Sequence, residues 1–439
     1  MVGFVNVCHP DYVNKTVSDM AREAQDVLSA KADEVYAIPA PVVDHKSAEA
    51  AGKELVRAGV DGVVIFLGSW IECSTAMALV REVEHVPMCL WGFGMFVENG
   101  ALNSTGSYVS FAMFKGSMDR VGYRYAPVLG LPEDPEAQKA LEAFARASAC
   151  YQRLKHLRIG LVGYSSMSIY PGTFDHLLMR AKIGPEIEQM DSYTLIKRAE
   201  NISEAECDRA VAHFCQRARM RSDVADPILR KTAGIYMALK QLCAEHDWGS
   251  VNVKCQYEFS KEYKAVPCVP LSVLADEGIV SSCEGDILNT VSMAILNLLS
   301  GKVVTYGDAM NHTGNVVKFS ACGFAPFSLS GEKFPEIRKF MPHPGFTGLQ
   351  TSFVLKSGRV TVMRLIEDRG DYHIVYMTGE GLDTDLRQGY MPALDVRIDG
   401  AIEKLIENYA GQHYAICYGD YSDGIEALAR ILGIGTVRV

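Results

Sequence analysis

The first hundred residues alternate short apolar strands with amphipathic helices, and this alternation restricts the fold more than any other feature. Strand patterns cover 2–7, 34–38, 62–67 and 86–91, with helix patterns at 17–30, 47–58 and 76–83. The run GVVIFL at 62–67 is apolar throughout, which is typical of a strand buried on both faces. Repeated βα units of this length predict a parallel sheet with helices on both faces.

Polar side chains follow three of these strands. His9 and Asp11 come after the first strand, Trp70 and Glu72 follow the third, and Trp91 ends the fourth. Ligands of parallel α/β sheets bind at the carboxyl ends of the strands. These residues are therefore candidates for a ligand-binding edge.

The pattern changes along the rest of the chain. A second α/β region begins near residue 157, and from about residue 345 short alternating strands are separated by turns at 357–358 and 369–370. Such strands are typical of antiparallel β-structure. The sequence predicts an α/β protein in which two tandem Rossmann-like parallel-sheet domains precede a mainly antiparallel β domain, with boundaries at 1–155, 156–300 and 301–439.

Composition and charge exclude several classes of protein. The chain has 439 residues and a net charge of −10, without a dense run of lysine or arginine, which argues against a nucleic-acid partner. No signal-peptide pattern opens the sequence, and no apolar run reaches 18 residues, so no membrane span is expected and a cytoplasmic location is predicted. The 12 cysteines contain no CxxC pair and are expected to stay reduced.

The stretch from Cys283 to His312 holds two carboxylates, Glu284 and Asp308, 24 positions apart. A helix pattern from about residue 286 to Gly301 is followed by a strand pattern at 303–306. About 14 helical residues extend roughly 21 Å, and about five extended residues return roughly 16 Å, so the two acids can meet. Two adjacent carboxylates repel unless they share a proton or a cation. The alternatives are a metal site or two ordinary exposed acids.

A cation held by two carboxylates suits a hard divalent metal, with one imidazole as a further ligand. His413, in NYAGQHYAICYG near the C-terminus, and His312, four residues after Asp308, are the candidates. A lone histidine is more often a structural residue, and spacing alone does not choose between the two.

Three segments resemble the L-fucose isomerase and L-arabinose isomerase superfamily of metal-dependent ketol isomerases: CEGDILN, VVTYGDAM and NYAGQHYAICYGD. The resemblance implies that Glu284, Asp308 and His413 bind a divalent metal, expected to be Mn²⁺. The arabinose branch has a further histidine in the segment corresponding to KFSACG. Here Ala321 lies nearby and no histidine is present, so the sequence follows the three-ligand fucose pattern.

The same resemblance implies a set of sugar-binding residues: Asn408, Gln256, Trp91 and His9. Lys254 stands where the family has a glutamine, which leaves the substrate open. Lys254 is either a surface lysine or a contact for an acidic sugar that carries a sulfonate, phosphate or carboxylate.

The resemblance implies interconversion of an aldose and a ketose through an enediol, with Glu284 and Asp308 as the catalytic groups that move protons. It also implies a homo-oligomer, a trimer or hexamer, in which His9 and Trp91 reach the site of a neighbouring subunit. The alternatives are a non-catalytic sugar-binding or regulatory protein and a metal-dependent epimerase or lyase on the same scaffold.

Overall fold

A computed structural model of the chain describes residues 1–385 and 388–439. The described chain forms two compact units. One contains Met1–Gln152 and Asp423–Ile434, and the other contains Arg153–Ser422 and Gly435–Val439. The division into three domains at residues 155 and 300 stays a prediction.

The first unit is built on a five-stranded parallel sheet. The strands of this unit, five in the sheet and two in a hairpin, are β1 Val2–Val7, β2 Val35–Ala37, β3 Gly62–Leu67, β4 Met88–Gly92, β5 Phe96–Glu98, β6 Ala101–Asn103 and β7 Ala126–Leu129. Helices α1 Lys15–Lys31, α2 His45–Ala58, α3 Cys73–Val83, α4 Ser107–Val121 and α5 Pro135–His156 accompany them. The sheet order is β2-β1-β3-β4-β7, and β5 and β6 form a separate hairpin. The fully buried strand β3 occupies the centre, as its continuous apolar run predicts.

The second unit contains most of the remaining strands and helices. The strands are β8 Arg158–Val162, β9 Glu186–Met190, β10 Arg219–Met220, β11 Ser250–Val253, β12 Val280–Cys283, β13 Thr305–Thr313, β14 Val316–Ser320, β15 Glu336–Lys339, β16 Leu349–Ser352, β17 Gly358–Asp368, β18 Asp371–Leu382, β19 Ala393–Ile398, β20 His413–Tyr418 and β21 Gly435–Arg438. The helices that follow α5 are α6 His176–Lys182, α7 Ser192–Glu200, α8 Glu204–Arg217, α9 Asp226–His246, α10 Cys268–Asp276, α11 Ile287–Ser300, α12 Ile402–Glu407 and α13 Ser422–Leu432, the last of which lies largely in the first unit.

Two sheets of the second unit position the site. A parallel sheet has the order β12-β11-β8-β9. Strands β17-β20-β13-β14-β19-β18 form an antiparallel sheet that the pairing of β17 with β18 closes into a barrel, and β21 adds to β18. The predicted α/β class, with parallel sheets followed by an antiparallel C-terminal sheet, is confirmed. The Rossmann-like character of both domains stays a prediction.

Helix α11 packs between the parallel sheet and the barrel, in contact with β12, β17 and β20. It is apolar on nearly all sides, which is characteristic of a helix buried all round. Its predicted limits are correct, because Asp286 is the N-cap and Gly301 the left-handed C-cap. The strand predicted at 303–306 instead spans Thr305–Thr313, since pairing with β14 and β20 carries it beyond the apolar run.

Within residues 1–385 and 388–439, no helix has both the length and the apolar character needed to cross a membrane.

Candidate active site

Glu284 follows directly on β12, at the carboxyl edge of the parallel sheet. Its backbone has φ +71°, and its main-chain carbonyl accepts a hydrogen bond from Ser166 N at 2.9 Å. The next residue, Gly285, also has a positive φ of +69°, and its N–H donates to Asn252 Oδ1 at 2.8 Å. These two left-handed residues turn the chain from β12 into α11 and leave the Glu284 side chain at the edge where α/β sheets bind ligands.

Asp308 and His413 are cross-strand partners in the barrel, on β13 and β20. Residues directly opposite each other in an antiparallel pair project to the same face, so the sheet register alone places the two side chains together. His413 is fully buried, and the Asp308 side chain is 21% exposed.

The three residues Glu284, Asp308 and His413 converge and are called here the carboxylate–imidazole cluster. His413 Nε2 lies 3.4 Å from Glu284 Oε2 and 3.4 Å from Asp308 Oδ1. Among the described residues, this buried nitrogen has no hydrogen-bond partner. Buried polar atoms are normally satisfied, so a nitrogen aimed between two carboxylates fits a site whose ligand completes it.

The charges of the cluster affect its titration. Burial, together with the negative charges of Glu284 and Asp286, raises the pKa of Asp308 to about 6. Burial also opposes ionisation of Glu284, but its close contacts with His413 and Gln256 outweigh it and lower the pKa of Glu284. Burial disfavours charge on His413 as well, yet its contacts with Asp286 and Glu284 raise the pKa of His413 well above its ordinary value.

Asp286 contacts His413 on its Nδ1 side, and Arg364 contacts Asp286 and the backbone of His413. Asp286 Oδ2 lies 2.8 Å from His413 Nδ1 and accepts from Arg364 Nη1 at 3.0 Å, and all three side chains are fully buried. The charge of Arg364 outweighs burial and lowers the pKa of Asp286 to about 2. The sequence analysis placed residue 286 only at the start of a helix pattern and missed Arg364. The available signal was an arginine inside the apolar strand TVMRLIE, because a buried arginine requires an acidic partner.

Two thiols lie beside Glu284. Donor atoms of Cys255, Cys283 and Glu284 lie within 4.8 Å of one another, and all three residues are buried. A hydrogen bond with Cys283 and burial raise the pKa of Cys255 well above its ordinary value, so this thiol stays protonated at neutral pH. Thiolate sulfur is a soft ligand, which suits softer metals than Mg²⁺ or Mn²⁺. The oxygen, oxygen and nitrogen donors of the carboxylate–imidazole cluster are the better fit for a hard divalent cation.

The segment after β11 brings two predicted substrate residues to the same sheet edge. Gln256 is buried and hydrogen-bonds to Glu284, while its Oε1 has no partner among the described residues. Lys254 is only 1% exposed, and its Nζ donates to both Glu258 carboxylate oxygens, at 2.8 and 2.6 Å, and to Tyr164 Oη at 2.7 Å. Lys254 is therefore a buried, paired cation rather than a surface lysine.

The remaining predicted residues have contacts outside the carboxylate–imidazole cluster or are exposed. Asn408 ends α12, and its side-chain amide donates to the Lys404 carbonyl at 2.7 Å. His312 is exposed on β13. In the first unit, His9 accepts from Asp11 N at 3.2 Å.

Trp91 is fully buried in the first unit. Its Nε1 donates to the Gly130 carbonyl at 2.9 Å, and its ring packs edge-on against Phe66 at 5.0 Å. The structure thus places Trp91 in the core of its own sheet. The predicted sugar contacts of Asn408, His9 and Trp91 stay predictions.

Comparison with known proteins gives a consistent set of relatives. No protein-family model matches the chain. Three similar proteins are each named sulfoquinovose isomerase. That of Alkalicoccus urumqiensis is 26% identical over 321 residues, which are 72% of either chain. That of Clostridium sp. (strain MSTE9) is 25% identical over 371 residues, 81% of this chain and 82% of the relative. That of Priestia megaterium is 24% identical over 318 residues, 71% of each.

The prediction that this chain is an isomerase enzyme is confirmed by these similarities. The aligned shares exceed two thirds of both chains, so the likeness extends well beyond a single motif.

Proposed function

We propose that the protein is a metal-dependent aldose–ketose isomerase that acts on a sugar through an enediol, on a scaffold related to L-fucose isomerase. The observation that carries this proposal is the approach of two carboxylates to the unpartnered His413 Nε2, each at 3.4 Å. A sheet edge and two neighbouring barrel strands would thus supply two carboxylates and one imidazole nitrogen to a divalent cation, Mn²⁺ in this proposal.

Each side chain of the cluster has a role in this proposal. Glu284, Asp308 and His413 would hold the cation, which when bound polarises the sugar carbonyl and stabilises negative charge on the oxygen atoms of the enediol. One of the two carboxylates removes the proton from carbon, and the other moves the hydroxyl proton. The free Oε1 of Gln256 is an acceptor for a sugar hydroxyl.

Isotope exchange tests the reaction. Purified enzyme loaded with Mn²⁺ is incubated with sulfoquinovose in D₂O, and the ketose is analysed by NMR. We expect conversion with deuterium at C1 of the ketose and at C2 of the aldose that is re-formed, and loss of conversion in Glu284→Gln. If the enzyme converts neither sulfoquinovose nor any member of a broad aldose panel, the isomerase proposal is overturned.

We propose that the substrate is anionic, as sulfoquinovose is, and that Lys254 interacts with its charged group. The buried charge of Lys254 is balanced by Glu258, which is partly exposed, with 37% of its side chain accessible. An incoming sulfonate can therefore replace the Glu258 carboxylate on Lys254 without leaving the cation unpaired.

Replacing Lys254 by glutamine removes this charge. Because a hydrogen bond to a charged group contributes about 1.5–3 kcal/mol, kcat/KM for sulfoquinovose is expected to fall roughly 10- to 100-fold in Lys254→Gln. Activity with unsulfonated glucose should change much less. Lys261→Gln is the matched control, since Lys261 is exposed beside the same loop. An equal loss for both sugars would show that Lys254 does not recognise the anion.

A further inference from the structure

We propose that Asp286 and Arg364 are positioning residues that determine which nitrogen of His413 faces the carboxylate–imidazole cluster. This inference rests on the proposed function, because it concerns the ability of His413 to bind the cation. Neither residue touches the predicted ligand position, and both act through His413.

The first step is the contact between Asp286 and His413. Asp286 Oδ2 lies 2.8 Å from His413 Nδ1, and both side chains are fully buried. An ionised carboxylate only accepts hydrogen bonds, so Nδ1 must carry the proton. In the neutral imidazole, Nε2 is then the atom with the free lone pair, and Nε2 is the atom that lies between Glu284 and Asp308.

Arg364 holds both partners of this contact. Its Nη1 donates to Asp286 Oδ2 at 3.0 Å and to the main-chain carbonyl of His413 at 2.7 Å, and its Nη2 donates to the Pro171 carbonyl at 2.7 Å. The guanidinium therefore holds the Asp286 carboxylate and the backbone of His413 in a fixed relative position. Gly411 leaves room for it, since a Cβ there would lie 2.6 Å from the Arg364 Cζ and Nε atoms.

Arg364 also balances the charge around His413. The carboxylates of Glu284, Asp308 and Asp286 all approach the same imidazole, and Arg364 is fully buried against Asp286. Without the positive charge of Arg364 beside it, a third buried carboxylate would cost free energy and would hold the imidazole ring of His413 less firmly.

Asp286 has two separable roles, since Asn289 N and His413 Nδ1 contact different oxygen atoms of its carboxylate. Oδ1 accepts from Asn289 N at 3.0 Å and caps α11, whereas Oδ2 orients His413. In Asp286→Asn, the amide oxygen can still cap the helix, but the amide NH₂ takes the place of Oδ2. There it meets Arg364 Nη1, with which it cannot pair because both groups are donors, and His413 Nδ1, to which it donates. The imidazole proton then moves to Nε2, where it blocks the lone pair needed for the cation.

The orienting role of Asp286 is tested by titrating the protein with Mn²⁺ alone and measuring the free ion by its EPR signal. We expect Asp286→Asn to bind Mn²⁺ about 10- to 100-fold more weakly than the wild type. Asp276→Asn is the matched control and should bind normally. Asp276 is also a partly buried aspartate that accepts backbone N–H groups, at Phe327 and Ser328, and among the described residues no hydrogen bond or ion pair joins it to the cluster. Binding by Asp286→Asn within about threefold of the wild type overturns the inference.

A second measurement, made on the wild type, does not depend on whether Asp286→Asn folds. The wild type is labelled with ¹⁵N-histidine and loaded with diamagnetic Mg²⁺, and its His413 resonances are identified as those absent from the spectrum of His413→Asn. These resonances should report a protonated Nδ1 and an unprotonated Nε2. The opposite tautomer overturns the inference. Wild-type protein that binds neither cation would instead contradict the proposed function, so the two failures are distinguishable.

Discussion

Glu284 and Asp308 lie at equal distances from one imidazole nitrogen, yet their pKa values shift in opposite directions. Burial acts on both, but contacts with His413 and Gln256 favour ionised Glu284, whereas Asp308 faces the negative charges of Glu284 and Asp286. Without a cation, ionised Asp308 is therefore the less stable member of the pair. A residue that destabilises the empty site is consistent with selection for ligand binding rather than for folding.

Asp308→Asn is expected to stabilise the metal-free protein at alkaline pH. The pKa of Asp308 is about 6 in the fold against about 3.9 in an unfolded chain, so ionisation favours unfolding. This destabilisation, on the order of 2–3 kcal/mol, is fully present above pH 6 and disappears as the pH falls from 6 to 4. Urea unfolding of EDTA-treated proteins at pH 8 and at the lowest pH that preserves the fold measures the difference.

Glu284→Gln is the matched comparison for that experiment. Because the pKa of Glu284 is lowered, its carboxylate stabilises the fold above its unfolded pKa, and this variant should be less stable than the wild type at pH 8. If Asp308→Asn also lost stability at pH 8, the raised pKa of Asp308 would be contradicted.

The junction between β12 and α11 is the element that aims Glu284. Two successive left-handed residues are uncommon, and a non-glycine residue at the first of them is strained. Gly285 lies against the backbone of another segment, since a Cβ there would lie 2.2 Å from the Tyr164 carbonyl oxygen. Only glycine fits this position without moving Glu284.

Gly285→Ala is therefore expected to lose both stability and activity. The left-handed backbone costs about 1–2 kcal/mol for alanine, and overpacking against Tyr164 adds roughly 1–3 kcal/mol. Gly301→Ala, at the other end of α11, is the control. Its φ is +66° and a Cβ would meet nothing within 4 Å, so only the conformational cost applies. Urea unfolding and initial rates separate the two variants, and equal effects would mean that Tyr164 does not constrain the junction.

Over the whole molecule, the sequence predicted local elements better than it predicted pairings between distant segments. Helix α11 and strand β3 were predictable because periodicity and continuous apolar runs are local properties. The register that sets Asp308 opposite His413 spans more than a hundred residues, and only the family resemblance suggested it. The pairing of Arg364 with Asp286 and that of β20 with β17 were not predicted, because each joins segments that are far apart in the chain.

The cluster joins a sheet edge to two barrel strands, so a cation bound there should stabilise the whole second unit against unfolding. An unfolded chain does not hold Glu284, Asp308 and His413 together, and binding to the folded state alone adds about 2.7 kcal/mol at 100 times Kd. Mn²⁺ should raise the Tm of the wild type and EDTA should reverse the rise. Glu284→Gln, which lacks one ligand, should respond far less to Mn²⁺ in the same calorimetric scan. A Tm increase of equal size in both proteins would show that the cation acts elsewhere on the molecule.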